Sequence, residues 1–205
     1  MIHIECVQGS REWLEARLGI PTASEFDRIL TPKTLKPSAQ AEKYLHQKVA
    51  EWATGQVVEV ETRIYSMDRG IELEQEAVEF YELTTGYHTT PAGFCLLEDR
   101  SAGASPDRFA GEEGLLEIKC PLASTHVGYL LAGTLPADYV LQTQGQLYVT
   151  GRRWVDFLSY MPGLPPLLIR QRPEPVIQDA LAGALADFNM RLRAGKRVLD
   201  ALREG

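Results

Sequence analysis

Cysteine is scarce in this chain of 205 residues: Cys6, Cys95 and Cys120 stand far apart, with no Cys-x-x-Cys pair. That excludes a disulfide framework, a thiolate zinc centre and a dithiol redox motif, and it suits a reducing cytosol. Long apolar runs are missing too. No stretch approaches the roughly 18 residues that cross a bilayer as a helix. The opening Met1-Ile2-His3-Ile4-Glu5-Cys6 carries no basic segment followed by an apolar one, so a soluble, unexported protein is expected. Positive charge is in short supply: 21 Lys and Arg face 28 Asp and Glu, for a net charge of -7. That argues against a protein that coats nucleic acid indiscriminately, because phosphate binding draws on clustered Lys and Arg. Repeats and low-complexity linkers are absent as well, and 44% hydrophobic composition suffices for one core, so a single domain over residues 1–205 is expected.

What is present has a readable order. Ser10 is placed to cap a short helix through Leu18, and Thr22-Ala23-Ser24-Glu25 has capping-box spacing ahead of Phe26, Ile29 and Leu30. A Pro- and Lys-containing loop over 31–37 precedes a helix from Ser38 to Thr54, stopped by Gly55. A strand-like patch, Val57 to Val60, leads to a helix from Met67 to Thr84, closed by Gly86. Strands are predicted over Phe94–Leu97, Leu115–Cys120, Trp154–Met161 and Leu167–Gln171, with helices over Ala137–Thr150 and Val176–Arg203. Helices, then strands, then a helix between strands and a terminal helix predict an α/β (α+β) fold, a central mixed β-sheet flanked by helices. The terminal segment, with Leu185, Phe188, Leu192 and Leu199 among Arg191, Arg193, Lys196 and Arg197, reads as a basic amphipathic helix packed on its own core or a neighbouring subunit. Candidate basic surface groups are Lys33, Lys36, Lys43, Lys48, Arg63, Arg69, Arg152 and Arg153.

The most informative hexapeptide is Leu115-Leu116-Glu117-Ile118-Lys119-Cys120. Strand side chains alternate, so Leu116, Ile118 and Cys120 are expected in the core and Glu117 with Lys119 on the other face, about 7 Å apart along the strand. An acid and a base at that spacing also occur as plain surface ion pairs. Pro106-Asp107 upstream offers a second carboxylate on a neighbouring strand, and together the oxygens suit a hard cation such as Mg²⁺. Phosphodiester hydrolysis needs a nucleophilic water and a place for growing negative charge. Mg²⁺ held by Asp107, Glu117 and the Ile118 carbonyl would supply both, with Lys119 orienting or deprotonating the water, its pKa lowered by burial, or stabilising the transition state. Helical phase adds Glu74, which shares a stripe with Ile71, Ala77, Val78 and Tyr81, whereas Glu72, Glu76 and Glu79 face away. An inward carboxylate needs a metal, a proton or a salt-bridge partner. Gln142 and Gln146 are i,i+4 neighbours beside Gly145, where a backbone or substrate could approach; they read equally as helix surface.

At these residues the chain resembles the phage lambda exonuclease family of viral alkaline recombination nucleases, a YqaJ-like branch of the PD-(D/E)xK nucleases. The motifs fall in family order from about Ser10 to Thr150: Trp13 to Gly19, Thr22-Ala23-Ser24-Glu25, Gly70 with Glu74, Ser105-Pro106-Asp107, Leu116 to Pro121, and Tyr139 to Gln144. The resemblance implies a restriction-endonuclease-like PD-(D/E)xK core, a catalytic centre of Asp107, Glu117 and Lys119 completed by Glu74 and Gln142, and two Mg²⁺ ions, for which Mn²⁺ substitutes. It implies a 5′-phosphate pocket of Arg17, Ser24 and Ser105, and by offset from Gly70 it puts a duplex-splitting wedge at Met67, which otherwise reads as packing. His126 stands where the lambda enzyme has a basic side chain, suggesting a pH-dependent phosphate contact. The family implies a homotrimeric ring that digests linear, 5′-phosphorylated duplex DNA 5′ to 3′ to mononucleotides, leaving a 3′ overhang for a single-strand annealing partner. It further implies a phage or prophage origin and a bacterial cytoplasm. A structure-selective endonuclease of the same chemistry, or a non-catalytic DNA-binding protein keeping the fold, are the alternatives.

Overall fold

A computed structural model describes the backbone of residues 1–57 and 64–204, and their side chains apart from those of residues 64–72. Residues 58–60 of the predicted strand and the basic candidate Arg63 therefore lie outside the described residues, as do the side chains of Arg69 and of the wedge candidate Met67.

The chain begins with β1 (Ile2–Ile4) and α1 (Arg11–Ala16), followed by a 3-10 helix over Ala23–Arg28. Ser10 caps α1 as its sequence suggests, its hydroxyl accepting from the Trp13 N–H. Thr22 makes no side-chain cap, so the expected capping box does not form. Next come α2 (Ala41–Thr54) and α3 (Ile64–Thr85), then four short strands, β2 (Thr89–Pro91), β3 (Phe94–Leu96), β4 (Gly103–Ala104) and β5 (Arg108–Ala110). The last elements are β6 (Gly114–Lys119), α4 (Ala123–Ala132), α5 (Ala137–Thr150), β7 (Trp154–Ser159), β8 (Leu167–Gln171) and α6 (Pro175–Glu204). Among the described residues no helix is long and apolar enough to cross a membrane.

Strands β1, β3 and β4 form an antiparallel sheet, and a second sheet has the order β2-β5-β6-β7-β8. Only β6 and β7 run parallel in it, Glu117 facing Phe157 and Lys119 facing Ser159. A parallel pair needs a crossover, which α4 and α5 supply. Both faces of the sheet are covered. Leu115 and Val155 pack with Tyr44, Leu141, Leu181 and Phe188 beneath α2, α5 and α6. Leu116, Ile118, Trp154 and Leu158 pack with Ala77, Val78 and Tyr81 of α3, and Cys120 lies partly buried against them. Alternation thus separates the two faces as expected, but neither is open, and Glu117 is only 1% exposed.

Gly145 on α5 explains the close fit of the 3-10 helix: a Cβ there would sit 2.5 Å from the Phe26 ring and 3.0 Å from Ala23. The neighbour approaching Gly145 is core, not substrate. Helix α6 closes the same core through Ile177, Leu181, Leu185, Phe188 and Leu192. Its basic residues serve as a clamp on α2, Arg191 pairing with Glu42 and Arg203 donating to the Ala53 carbonyl.

Candidate active site

The β5–β6 ladder sets Arg108 opposite Leu116. Asp107, one residue earlier, therefore lies beside Glu117, one residue later, and antiparallel partners send side chains to the same face. Asp107 Oδ2 accepts the Ile118 N–H at 2.6 Å, so the residue whose carbonyl is a candidate ligand already borders the carboxylates. Glu117 is held on both oxygens. Oε1 accepts from Lys119 Nζ and Gln142 Nε2, each at 2.5 Å, and Oε2 accepts from Gln146 Nε2 at 2.5 Å. Both amides descend from α5, one helical turn apart on one face. Gln142 is partly exposed; Gln146 is buried.

The electrostatics follow from crowding acids in a dry place. Burial first, and then the neighbouring Glu117, hold the Asp107 carboxyl well above its usual range, against the pull of Lys119 and the Ile118 N–H. Half-buried Glu74 is raised mainly by desolvation, with Glu117 adding and Arg108 and Lys119 opposing. Glu74 thus lies on α3 within electrostatic reach of Glu117, Lys119 and Arg108. Desolvation works to lower the Lys119 ammonium, but Glu117 and Asp107 outweigh it and the net shift is upward. The expectation of a depressed lysine pKa fails here because two carboxylates stand within its reach. Lys119 Nζ also lies 5.4 Å from the Tyr139 ring centre, with its side chain 28% exposed.

The donors fit a hard divalent cation: they are carboxylate oxygens, partly desolvated, with repulsion that a cation would relieve. Among the described residues no three His, Cys, Asp or Glu side chains gather into a ready-made cation site. Asp107 and Glu117 would thus be the side-chain ligands, and backbone, water or substrate oxygens would complete the shell.

A second cluster joins the other site candidates. The Arg17 guanidinium stacks 4.0 Å from the centre of the Trp13 ring and donates to Thr22 Oγ1 at 3.0 Å. Thr22 Oγ1 lies 3.5 Å from Ser24 Oγ, and Trp13 Nε1 donates to Ser105 Oγ at 2.7 Å. Arg17, Ser24 and Ser105 are thereby brought together, and Ser105 precedes Asp107 by two residues. Trp13 and Thr22 are the members that spacing alone does not reveal. Beneath them the Thr22 N–H donates to Tyr44 Oη, and the Gly19 N–H donates to Glu51.

Other candidates belong to the fold. Lys48 is buried, 4% exposed, and pairs with Glu51 at 2.8 Å, so it offers no surface charge. His126 is fully buried; Nε2 donates to the Pro165 carbonyl at 2.9 Å and Nδ1 meets Ser159 Oγ at 2.7 Å. Both ring nitrogens are committed, and the phosphate contact expected of it has no free group to make it. Arg152 donates to the Gly111 and Gly114 carbonyls, and Arg153 pairs with Glu113.

A mixed sheet flanked by helices, with Asp107 beside Glu117-x-Lys119 on adjacent strands, defines a nuclease fold of the restriction-endonuclease-like class. The chain belongs to the YqaJ-like viral recombinase domain family, whose domain matches residues 12–153. That membership carries a nuclease role. Among solved structures it is similar to an alkaline exonuclease (LHK-Exo) from Laribacter hongkongensis, 32% identical, with a TM-score of 0.84 over 95% of this chain and 98% of that one. The same enzyme in complex with dAMP matches at 30% identity and TM-score 0.84, over 96% and 100% of the two chains. A phage-related exonuclease from Haemophilus somnus 129PT shares the fold at 13% identity and TM-score 0.67, covering 89% of this chain and 96% of that one. No individually curated protein matches.

Proposed function

We propose that this protein is a Mg²⁺-dependent exonuclease that digests one strand of linear duplex DNA from its 5′ end to mononucleotides and leaves a 3′ overhang for recombination by strand annealing. The observation that carries the reading is the joining of two clusters through one segment: Ser105, tied to Trp13 and Arg17, leads in two residues to Asp107 beside Glu117 and Lys119. One cluster has the chemistry to grip a terminal phosphate, the other to cleave the next bond. Arg17 would meet the phosphate with its planar fork while the Ser24 and Ser105 hydroxyls donate to remaining oxygens. Mg²⁺ bound by Asp107 and Glu117, with the Ile118 carbonyl, would acidify the attacking water and offset phosphate charge.

The chain's own groups do the rest. Lys119, kept as an ammonium by its two acidic neighbours, is placed to orient the attacking water and to stabilise negative charge as it grows on the phosphoryl group. Gln142, partly exposed and on the same Glu117 oxygen as Lys119, is placed to orient water or phosphate without adding charge. Glu74 would add negative charge nearby from α3, outside the pair of side-chain ligands. Assembly as a homotrimeric ring, an annealing-protein partner and action in a bacterial host's cytoplasm complete the proposal and rest on the family likeness.

The test is a digest of three substrates with Mg²⁺: 5′-phosphorylated linear duplex, its 5′-hydroxyl counterpart and a closed circle. The proposal expects the first to be consumed fastest and the circle to stay intact. Rapid nicking of the circle would replace it with a structure-selective endonuclease.

A further inference from the structure

On each acidic ligand candidate one oxygen accepts a single hydrogen bond from a group of the fold itself. On Asp107 the engaged atom is Oδ2, which accepts the Ile118 N–H at 2.6 Å. On Glu117 it is Oε2, which accepts Gln146 Nε2 at 2.5 Å. The remaining Glu117 oxygen, Oε1, faces Lys119 and Gln142, the two partners with exposed surface. Gln146 is 1% exposed, so Oε2 is held toward the interior and Oε1 toward the open side.

We infer that Gln146 is a positioning residue that makes Glu117 a one-oxygen ligand and so biases the centre toward Mg²⁺ over Ca²⁺. The inference rests on the proposed reading of Asp107 and Glu117 as cation ligands. Ca²⁺ takes six to eight oxygens and readily chelates a carboxylate through both of them, whereas Mg²⁺ binds carboxylates through single oxygens and keeps several waters. A carboxylate fixed with one oxygen turned inward therefore meets the smaller ion's demand and frustrates the larger one's.

Gln146 suits this role in charge as well as place. Its amide orients Glu117 without setting a second positive charge beside Lys119, which a lysine or arginine at the same position would do at a cation's expense. The orientation of the amide is fixed, since turning it over would set its carbonyl oxygen against a carboxylate. In this orientation Gln146 Oε1 is buried with no hydrogen-bond partner among the described residues. An unpaired buried carbonyl is destabilising. The glutamine therefore serves folding poorly, in keeping with a role at Glu117. Gln144, on the same helix, is the contrast: its oxygen accepts from the Glu174 N–H and from Gln178, and its nitrogen donates to the Arg172 carbonyl, which ties α5 to the start of α6.

The test is titration calorimetry of the full chain with Mg²⁺ and, separately, Ca²⁺, for wild type, Q146L and E117A. In Q146L the ratio of Ca²⁺ to Mg²⁺ affinity is expected to rise by about tenfold, the scale on which groups behind a ligand tune metal binding. Should Q146L fail to fold by circular dichroism, Q146N, one methylene shorter and unable to keep its amide on Oε2, is read in the same way. An unchanged ratio, or two affinities falling by the same factor, overturns the inference and leaves the centre standing, provided E117A has lost Mg²⁺ binding. If E117A binds Mg²⁺ as wild type does, the reading of the centre falls and this inference with it.

Discussion

Asp107 sits where its charge is least welcome, beside Glu117 and out of water. Its folded-state pKa is raised, first by desolvation and then by Glu117. An acid with a raised pKa binds more protons folded than unfolded, so its contribution to stability is complete below the unfolded value and is lost as pH rises through the folded one. In EDTA, Asp107→Asn is thus expected to raise the melting temperature by a few degrees at pH 8, with the gain vanishing near pH 4; equal shifts at both pH values would contradict the assigned cause. Arg17→Ala is expected to cut the preference for phosphorylated over hydroxyl 5′ ends by about tenfold or more, since a hydrogen bond to a charged group contributes about 1.5–3 kcal/mol. Competition between the two substrates in one tube measures it. Asp107, Glu117 and Lys119 are legible in the sequence because strand alternation and a short intervening turn are local. The partners of Gln146 and Trp13 are not, since they lie 29 and 92 residues away; the sequence offers Gln146 only as an amide beside Gly145 and Trp13 only within a family motif. Helical phase sets Glu74 on the inward stripe of α3, since that needs only the residues of one helix.

At the scale of elements, α5 governs the site because it carries both amides on Glu117 and is seated by Gly145. Gly145→Ala gains about 1 kcal/mol of helix propensity. It also drives a methyl into the buried Phe26 ring, 2.5 Å from the added Cβ. Overpacking of that kind costs about 1–3 kcal/mol. The packing loss should win, giving a lower urea midpoint at unchanged m-value and weaker Mg²⁺ binding as α5 shifts. Lys48→Met, which strips Glu51 of its buried partner, should destabilise by about 3–5 kcal/mol in the same assay. The long elements were legible: α5 and β8 have the bounds that periodicity and flanking Gly and Pro suggest. Strands β1, β2, β4 and β5 are not legible: two or three residues are too few to show alternation, and they lack the continuous apolar run Phe94-Cys95-Leu96 that marks β3. Helix α4 is not legible because Ala123–Ala132 has no apolar stripe of helical period: of its residues only His126 is buried, while Val127 and Leu131 are exposed. Lys48 reads as surface charge in sequence because, although Glu51 is its i,i+3 neighbour on α2, the chain around Gly19 that covers the pair comes from 32 residues before Glu51.

For the whole molecule, an acidic chain acting on DNA is understandable when its carboxylates hold cations and its phosphate contacts are few and local. The proposed ring predicts a light-scattering mass three times the 22.9 kDa of one chain. A monomeric mass would remove the ring while leaving the chemistry in place. The central claim is that Asp107, Glu117 and Lys119 cleave DNA from a 5′ end, and a timed digest of 3′-end-labelled, 5′-phosphorylated duplex by wild type, Asp107→Ala and Lys119→Ala tests it most directly. The expected result is release of mononucleotides from the 5′ terminus by wild type, with the 3′ label leaving last. Both variants should be folded, by circular dichroism, and slower by a factor of a thousand or so, the scale of losing one group that stabilises transition-state charge. Early release of the 3′ label, or turnover retained in either variant, would contradict the account.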